Sequence, residues 1–364
     1  MKLTEIILKG YKSVEGEKGQ TIPFGDVTVL LGANGSGKSN LVSFFRMLQA
    51  MMTGELQNYV ARQGASRLLH YGPKRTQTIA FELTVATDAG RDTYQAVLSY
   101  GPPERLFIGV EQMVYKNSER HTEPLESRGG YGGLAESQLS TFTAPSAQDI
   151  GKFLAGIRVY QFHDTSDTAR VKDRCYVDDA GFLRDDAGNL AAFLKMLKES
   201  ADYRKYYERI VRHIRRVMPQ FGDFELNPVP ANKDYVRLNW RDSAGGDYRF
   251  DPGQLSDGTL RFMALATLLL QPPDLLPKLI VLDEPELGLH PAALSELAGL
   301  VRSVSHKAQI LLATQSTRLV DEFEPEDIVV VERDEADRCS VFKKPDPERL
   351  RDWLAPAKVT DEPL

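Results

Sequence analysis

Residues 32–39 read Gly-Ala-Asn-Gly-Ser-Gly-Lys-Ser, and the stretch that reaches them, Val27 to Leu31, is an unbroken apolar run. A strand running into G-x-x-x-x-G-K-S, with a helix-like run behind it (Asn40 to Met51), is the context a phosphate-binding loop requires. Gly32, Gly35 and Gly37 let the backbone of Asn34, Gly35, Ser36 and Gly37 curl its N–H groups toward phosphate oxygens. The helix that starts at the loop adds the partial positive charge of its N-terminus. In that frame Lys38 bridges the β- and γ-phosphates of ATP, and the Ser39 hydroxyl ligates Mg²⁺. A second stretch answers the first: residues 279–285 read Leu-Ile-Val-Leu-Asp-Glu-Pro, an apolar strand ending in two adjacent carboxylates. A chance glycine-rich turn explains the loop alone but not the loop with its matching acidic strand.

Composition sets the outer limits. With 364 residues, 42% hydrophobic and 26% charged, the chain has the make-up of an ordinary globular protein with a sizeable core. No run of apolar residues is long enough to span a bilayer, and the opening Met-Lys-Leu-Thr-Glu lacks a secretory pattern, so a cytoplasmic location is expected. Two cysteines, Cys175 and Cys339, are too few for a disulfide framework or a zinc site. A formal charge of −6 argues against a strongly basic nucleic-acid binder but leaves room for a local basic stripe.

The pattern is α/β with an interruption. Alternating strands are expected over 77–86, 93–100 and 106–115, as in an antiparallel sheet with one wet face. Residues 117–148 are polar and glycine-spotted and are expected to be a mobile surface loop. A helical block follows over about 188–219, then two short strands, a helix over 259–271 and the acidic strand. Because the phosphate loop and the acidic strand must share one sheet, residues 1–364 are expected to form a single domain. Its main lobe covers about 1–164 and 277–345, and a helical lobe covers about 165–276.

A third motif, Gln254-Leu255-Ser256-Asp257-Gly258-Thr259-Leu260-Arg261, lies just ahead of that helix. Ser256 is suited to cap it, and Gly258 lets an anion approach the backbone. One nucleotide rarely needs two phosphate-seeking helix ends, so the second suggests a nucleotide held by another copy. A plainly capped helix is the alternative.

The order of phosphate loop, L-S-x-G, apolar strand ending Asp-Glu, and Glu286-Leu287-Gly288-Leu289-His290-Pro291 resembles an ATP-binding-cassette (ABC) ATPase, of the soluble RecF/SMC head type. Lys9 to Ser13 is similar to the first strand-turn of such heads. Val159 to Ser166, Leu255 to Leu270 and Glu324 to Glu332 resemble segments of bacterial stand-alone RecF-like ATPases. The resemblance implies an α/β fold of the P-loop NTPase class, a mixed sheet with an antiparallel β subdomain and an inserted helical subdomain. It implies that nucleotide is bound by the loop from Asn34 through Asn40 and by Lys12. It gives Asp283 to Mg²⁺ opposite Ser39, Glu284 to the attacking water, and Ser256 and Gly258 to a nucleotide sandwiched in a homodimer.

Two departures stand out. Where many cassette ATPases carry a histidine after the next strand, this chain has Gln315, which can orient water but cannot take a proton near neutral pH. A metal-facing glutamine is assigned to Gln161, with His163 and Asp164 competing for the slot. There is no heptad arm, and after Glu332 too little chain remains for a fused nuclease domain, so DNA cleavage would need a separate subunit. Arg204, Lys205, Arg209, Arg212, Arg215 and Arg216, interleaved with tyrosines, form either a DNA-facing patch or a solvated helix face. Two functions are therefore expected: an ATPase acting on DNA or a partner nuclease in repair or anti-phage defence, or a nucleotide-gated scaffold with slow hydrolysis.

Overall fold

The computed structural model describes residues 1–87, 90–116, 122–128, 133–246, 248–334 and 336–345. The chain opens with β1 (Lys2–Lys9), β2 (Gln20–Pro23) and β3 (Val27–Leu31). Three helices follow, α1 (Lys38–Met52), α2 (Leu56–Gln63) and α3 (Ala65–Leu68), then the strands β4 (Thr78–Thr87), β5 (Gly90–Gly101), β6 (Arg105–Lys116) and β7 (Thr122–Arg128). α4 (Pro145–Ala155) and β8 (Ile157–Tyr160) lead into the inserted segment. That segment holds β9 (Cys175–Tyr176), α5 (Leu190–Glu199), α6 (Arg204–Val217), β10 (Phe221–Glu225), β11 (Pro228–Val229), β12 (Asn232–Val236), β13 (Asn239–Asp242) and α7 (Asp257–Leu270). β14 (Leu279–Asp283), α8 (Pro291–Ser305), β15 (Gln309–Thr314), α9 (Thr317–Val320), β16 (Ile328–Arg333) and β17 (Ser340–Lys343) complete it.

Two six-stranded sheets organise these elements. One is antiparallel in the order β2-β1-β4-β5-β6-β7; the other runs β17-β16-β3-β15-β14-β8, parallel except for β17. The phosphate-loop strand β3 and the acidic strand β14 therefore flank β15, and their C-terminal ends open on the same edge. Parallel strands covered on both faces read as continuous apolar runs, as Val27–Leu31 and Leu279–Asp283 do. Successive residues feed different cores: Ile280 and Leu282 pack toward the inserted segment, while Leu279 and Val281 pack toward α1 and the antiparallel sheet.

α1 is the spacer between the two sheets. Phe44 on its inner face meets the rings of Tyr11 and Phe81 edge-on, at centroid distances of 5.8 and 5.2 Å. Phe44 is fully buried, so truncating it to alanine would cost about 3–5 kcal/mol. Gln309, at the start of β15, stitches the sheets together: its Nε2 donates to Leu3 O at 2.8 Å and its Oε1 accepts from Leu3 N at 2.6 Å.

The antiparallel subdomain and the helical insertion are present as expected, with two differences. Within the span read as a loop over 117–148, residues 117–121 and 129–132 lie outside the described residues. The rest carries order: β7, a short 3-10 turn at Leu139–Thr141, and the first turn of α4. The hydrogen-bonding that makes β7 a strand comes from β6 beside it, which local polarity does not reveal. The insertion also holds five short strands where two were expected: β10 pairs with β13, and β12 lies between β11 and β9, in two small sheets.

Candidate nucleotide site

β3 delivers the loop and α1 begins at its end. Gly37 sits at φ 117° and Gly35 at φ 79°, conformations that L side chains rarely adopt. A Cβ at Gly37 would overlap the Ser340 hydroxyl, so the close approach of β17 beneath the loop also demands glycine there. Ser340 Oγ donates to Ser36 O and lies 2.6 Å from Ser13 Oγ, which accepts from Asn40 Nδ2 at 2.6 Å. Asn40 is thus part of the brace under the loop. α1 has no side-chain cap and no acidic residue in its first turn, which leaves its N–H groups for an anion.

Lys38 is 4% exposed, and its ammonium lies inside the loop, donating to Gly32 O at 2.5 Å and to Ala33 O at 3.1 Å. Burial depresses its pKa, while Glu284, Glu286 and Asp283 oppose that shift. The Lys38 ammonium faces three carboxylates, and Arg46 adds a second positive charge near Asp283. Asp283, the last residue of β14, is 9% exposed, and its Oδ1 is buried with no hydrogen-bond partner among the described residues. Desolvation raises its pKa. An orphaned buried carboxylate oxygen, with the exposed Ser39 hydroxyl supplied by the loop, fits Mg²⁺ by donor chemistry: hard oxygen ligands of the kind it takes beside phosphates.

Glu284 follows Asp283 but is not a strand residue. It sits at φ 43° and its N–H donates to Ala313 O at 2.7 Å, so this backbone turn, not the alternation of a strand, separates the two carboxylates. A left-handed non-glycine residue costs of order 1–3 kcal/mol, and such strain collects at functional sites. Its Oε2 accepts from Gln315 Nε2 at 3.4 Å, which brings together the two residues expected to handle the attacking water. Glu286 holds this arrangement from behind. Buried to 8% exposure, it accepts from Thr314 Oγ1 at 2.6 Å and from Gln315 N at 3.2 Å, and burial raises its pKa.

Gln161 lies just past β8 and reaches the acidic strand only through a neighbour. Its Oε1 accepts from Arg46 Nη2 at 2.7 Å, and its Nε2 donates to His163 Nδ1 at 3.0 Å. That fixes the proton of His163 on Nε2, which donates to Asp283 O at 2.9 Å. His163 is therefore the residue that touches the end of the acidic strand, and Gln161 stands one step back. Asp164 bonds Ser166 instead.

Lys12 adopts φ 48° and its ammonium donates to Ser43 Oγ at 2.6 Å, one turn along α1 from Ser39. Burial lowers its pKa and Arg46 lowers it further. Ser256 caps α7, its Oγ accepting from Thr259 N at 3.2 Å. Gly258 has a different reason to be glycine from the one the sequence suggested. A Cβ there would overlap Gly288 O, so the close passage of the loop after the acidic strand by itself requires glycine at this position. His290 caps α8 by accepting from Ala292 N at 3.3 Å, a structural role.

The basic stretch of α6 is mostly engaged within the fold. Arg216 and His213 both meet Glu296, Arg209 donates to Ser303 Oγ, Arg215 holds Phe221 O and Gly222 O, and Arg204 pairs with Glu208. Lys205, over the Tyr206 ring, and Arg212 remain.

The family model described as "AAA domain, putative AbiEii toxin, Type IV TA system" matches residues 27–321, from the phosphate-loop strand past Gln315. The chain belongs to this family. No curated protein matches it. Among solved structures, an SMC head bound to the C-winged helix domain of ScpA is similar, with a TM-score of 0.59 and 16% identity over 97% of this chain and 100% of that one. An Smc head domain with an extended coiled coil, bound to the C-terminal domain of ScpA derived from Pyrococcus furiosus, gives 0.56 and 15% over 97% and 98%. At such identities the likeness shows the fold alone, and the fold is that of an SMC-type ATPase head. Among the described residues no helix is long and apolar enough to cross a membrane.

The residues missed by sequence reading are Arg46, Arg261, Glu286 and Ser340. Glu286 and Arg261 stood inside the motifs over 286–291 and 254–261 but were given no role of their own, and Ser340 carried no local signal.

Proposed function

We propose that this AAA-domain protein hydrolyses ATP with Mg²⁺ in a head-to-tail dimer, each nucleotide lying between the loop of one copy and the Ser256–Gly258 turn of the other. The observation that carries the reading is the meeting of Lys38, Asp283, Glu284 and Gln315 at one sheet edge, with an orphaned carboxylate oxygen at Asp283. Bound Mg²⁺ would neutralise the phosphates and be held by Ser39 and Asp283. Glu284 receives a proton from water positioned with the help of Gln315, and Lys38 balances charge on the phosphoryl oxygens. Hydrolysis is read as acting on DNA or on a partner nuclease. The family's description as a putative toxin favours defence over repair, and the two SMC heads that bind ScpA domains make a protein partner a reasonable expectation.

The test is complementation. Ser256→Arg places bulk and charge at the proposed contact, so it should lose ATP-dependent dimerisation and turnover while the monomer still binds ATP. Mixing it with Lys38→Ala leaves one intact site per heterodimer, and partial recovery of turnover is expected. Full activity of Ser256→Arg alone, as a monomer, would show that the site is complete within one chain. Unchanged turnover with duplex DNA added would favour the protein partner, and negligible turnover throughout would favour a scaffold.

A further inference from the structure

Arg261, one turn into α7, makes four hydrogen bonds to two separate segments, the stretch after β8 and the loop after β14. Nε donates to Phe162 O at 3.1 Å, Nη2 to His163 O at 2.8 Å and Thr165 Oγ1 at 3.1 Å, and Nη1 to Leu287 O at 3.0 Å. No carboxylate pairs with it among the described residues, so carbonyl dipoles and one hydroxyl hold the charge. A Cβ at Gly288, which sits at φ 71°, would fall against Arg261 Nη1, and one at Gly258 would overlap Gly288 O. The N-terminal turn of α7 and the loop over 286–289 are thus packed without slack. The other end of the connection is the acidic strand, since His163, whose carbonyl Arg261 holds, donates from its ring to Asp283 O. Hydrogen bonds thus link Asp283 through His163 to Arg261, which lies in the first turns of the helix that Ser256 caps.

We propose that Arg261 is a positioning residue that couples the two half-sites of one chain, so that nucleotide and Mg²⁺ at the Asp283 end set the placement of the Ser256–Gly258 turn. This rests on the nucleotide site proposed above but not on the dimer. A planar fork with donors fixed in direction suits the task, because it must follow three carbonyls at once.

The experiment measures amide hydrogen exchange with and without Mg-ATP, at a protein concentration where sedimentation shows a monomer. In the unaltered chain, Mg-ATP should slow exchange over residues 255–260 and 286–289 by roughly threefold or more. Arg261→Gln should bind a fluorescent ATP analogue within about threefold of the same Kd yet lose that response. Arg261→Lys keeps the charge without the fork and should also lose it. Three results would overturn the proposal: no response over 255–260 in the unaltered chain, a full response in Arg261→Gln, or a loss of ATP affinity in step with melting temperature, which marks a purely structural staple. A normal response in a chain that never dimerises would sink the shared-site reading and leave the coupling intact. Failure of the unaltered chain to bind the analogue would end the nucleotide reading and this proposal with it.

Discussion

The two helix N-termini of the candidate site are built in opposite ways. α1 begins at Gly37 with no side-chain cap and no acid in its first turn, over a loop whose glycines hold left-handed conformations. α7 begins at Ser256 with its own hydroxyl capping Thr259 N and with Asp257 in the first turn, at φ/ψ values any residue can adopt. The first end has unsatisfied N–H groups and favourable dipole charge waiting for an anion. The second end has one of its N–H groups, that of Thr259, met by its own cap and carries a carboxylate that disfavours an anion. On the function proposed above, the first end is a phosphate site formed in advance, and the second becomes one only when a second body brings a phosphate that outcompetes the local cap.

The largest effect should come from breaking the preformed half. Lys38→Ala removes the buried ammonium and leaves three carboxylates facing the loop without it. Losing a preorganised charge of this kind costs roughly 3–4 kcal/mol or more, hence about 100- to 1000-fold in turnover. Steady-state ATPase assays check this, and wild-type-like turnover would remove Lys38 from the site. Glu284→Gln should come next, with ATP bound almost normally and hydrolysed at least about 100-fold more slowly. Nucleotide affinity and single-turnover rate separate the two effects. Loss of affinity in Glu284→Gln but not in Asp283→Asn would reverse the roles given to the two carboxylates.

The same contrast explains what was legible in the sequence. The preformed half announces itself because backbone geometry forces its residue types: Gly35 and Gly37 for φ, and an apolar run for a strand buried on both faces. The antiparallel sheet was readable from a different signal, the alternation of apolar and polar residues in strands with one wet face. What makes the second half work is tertiary and left no local trace. Gly258 is glycine because Gly288 passes it, and nothing in Leu-Ser-Asp-Gly tells that contact from an anion's approach. His163 outranks Gln161 at the acidic strand because of ring geometry, not spacing. The arginines of α6 look like a phosphate stripe in sequence, yet Glu296, Ser303 and the Phe221–Gly222 carbonyls claim most of them. β7 hid inside a polar segment because its partner strand, rather than its own composition, makes it a strand.

The smallest predicted effect sharpens the comparison most, because it acts on the self-capped end without touching the cap. Asp257 occupies the first turn of α7, is largely exposed, and lies 3.9 Å from the ammonium of Lys172, whose stem is buried. Asp257→Asn removes a carboxylate that would repel a partner's phosphate and leaves Lys172 shared only with Asp167, also 3.9 Å away, so that its charge is less neutralised. The same change removes a favourable charge from the helix N-terminus, worth about 0.3–1 kcal/mol. The two consequences have opposite signs. The chain alone should melt slightly lower, by about a degree or two given its length. ATP-dependent dimerisation, measured by sedimentation at low ionic strength, should tighten by roughly two- to fivefold, the factor that such an electrostatic term carries. Raising the salt should shrink the gain, since the charges involved are exposed. If dimerisation weakens along with melting temperature, Asp257 serves the helix alone and no phosphate approaches this end.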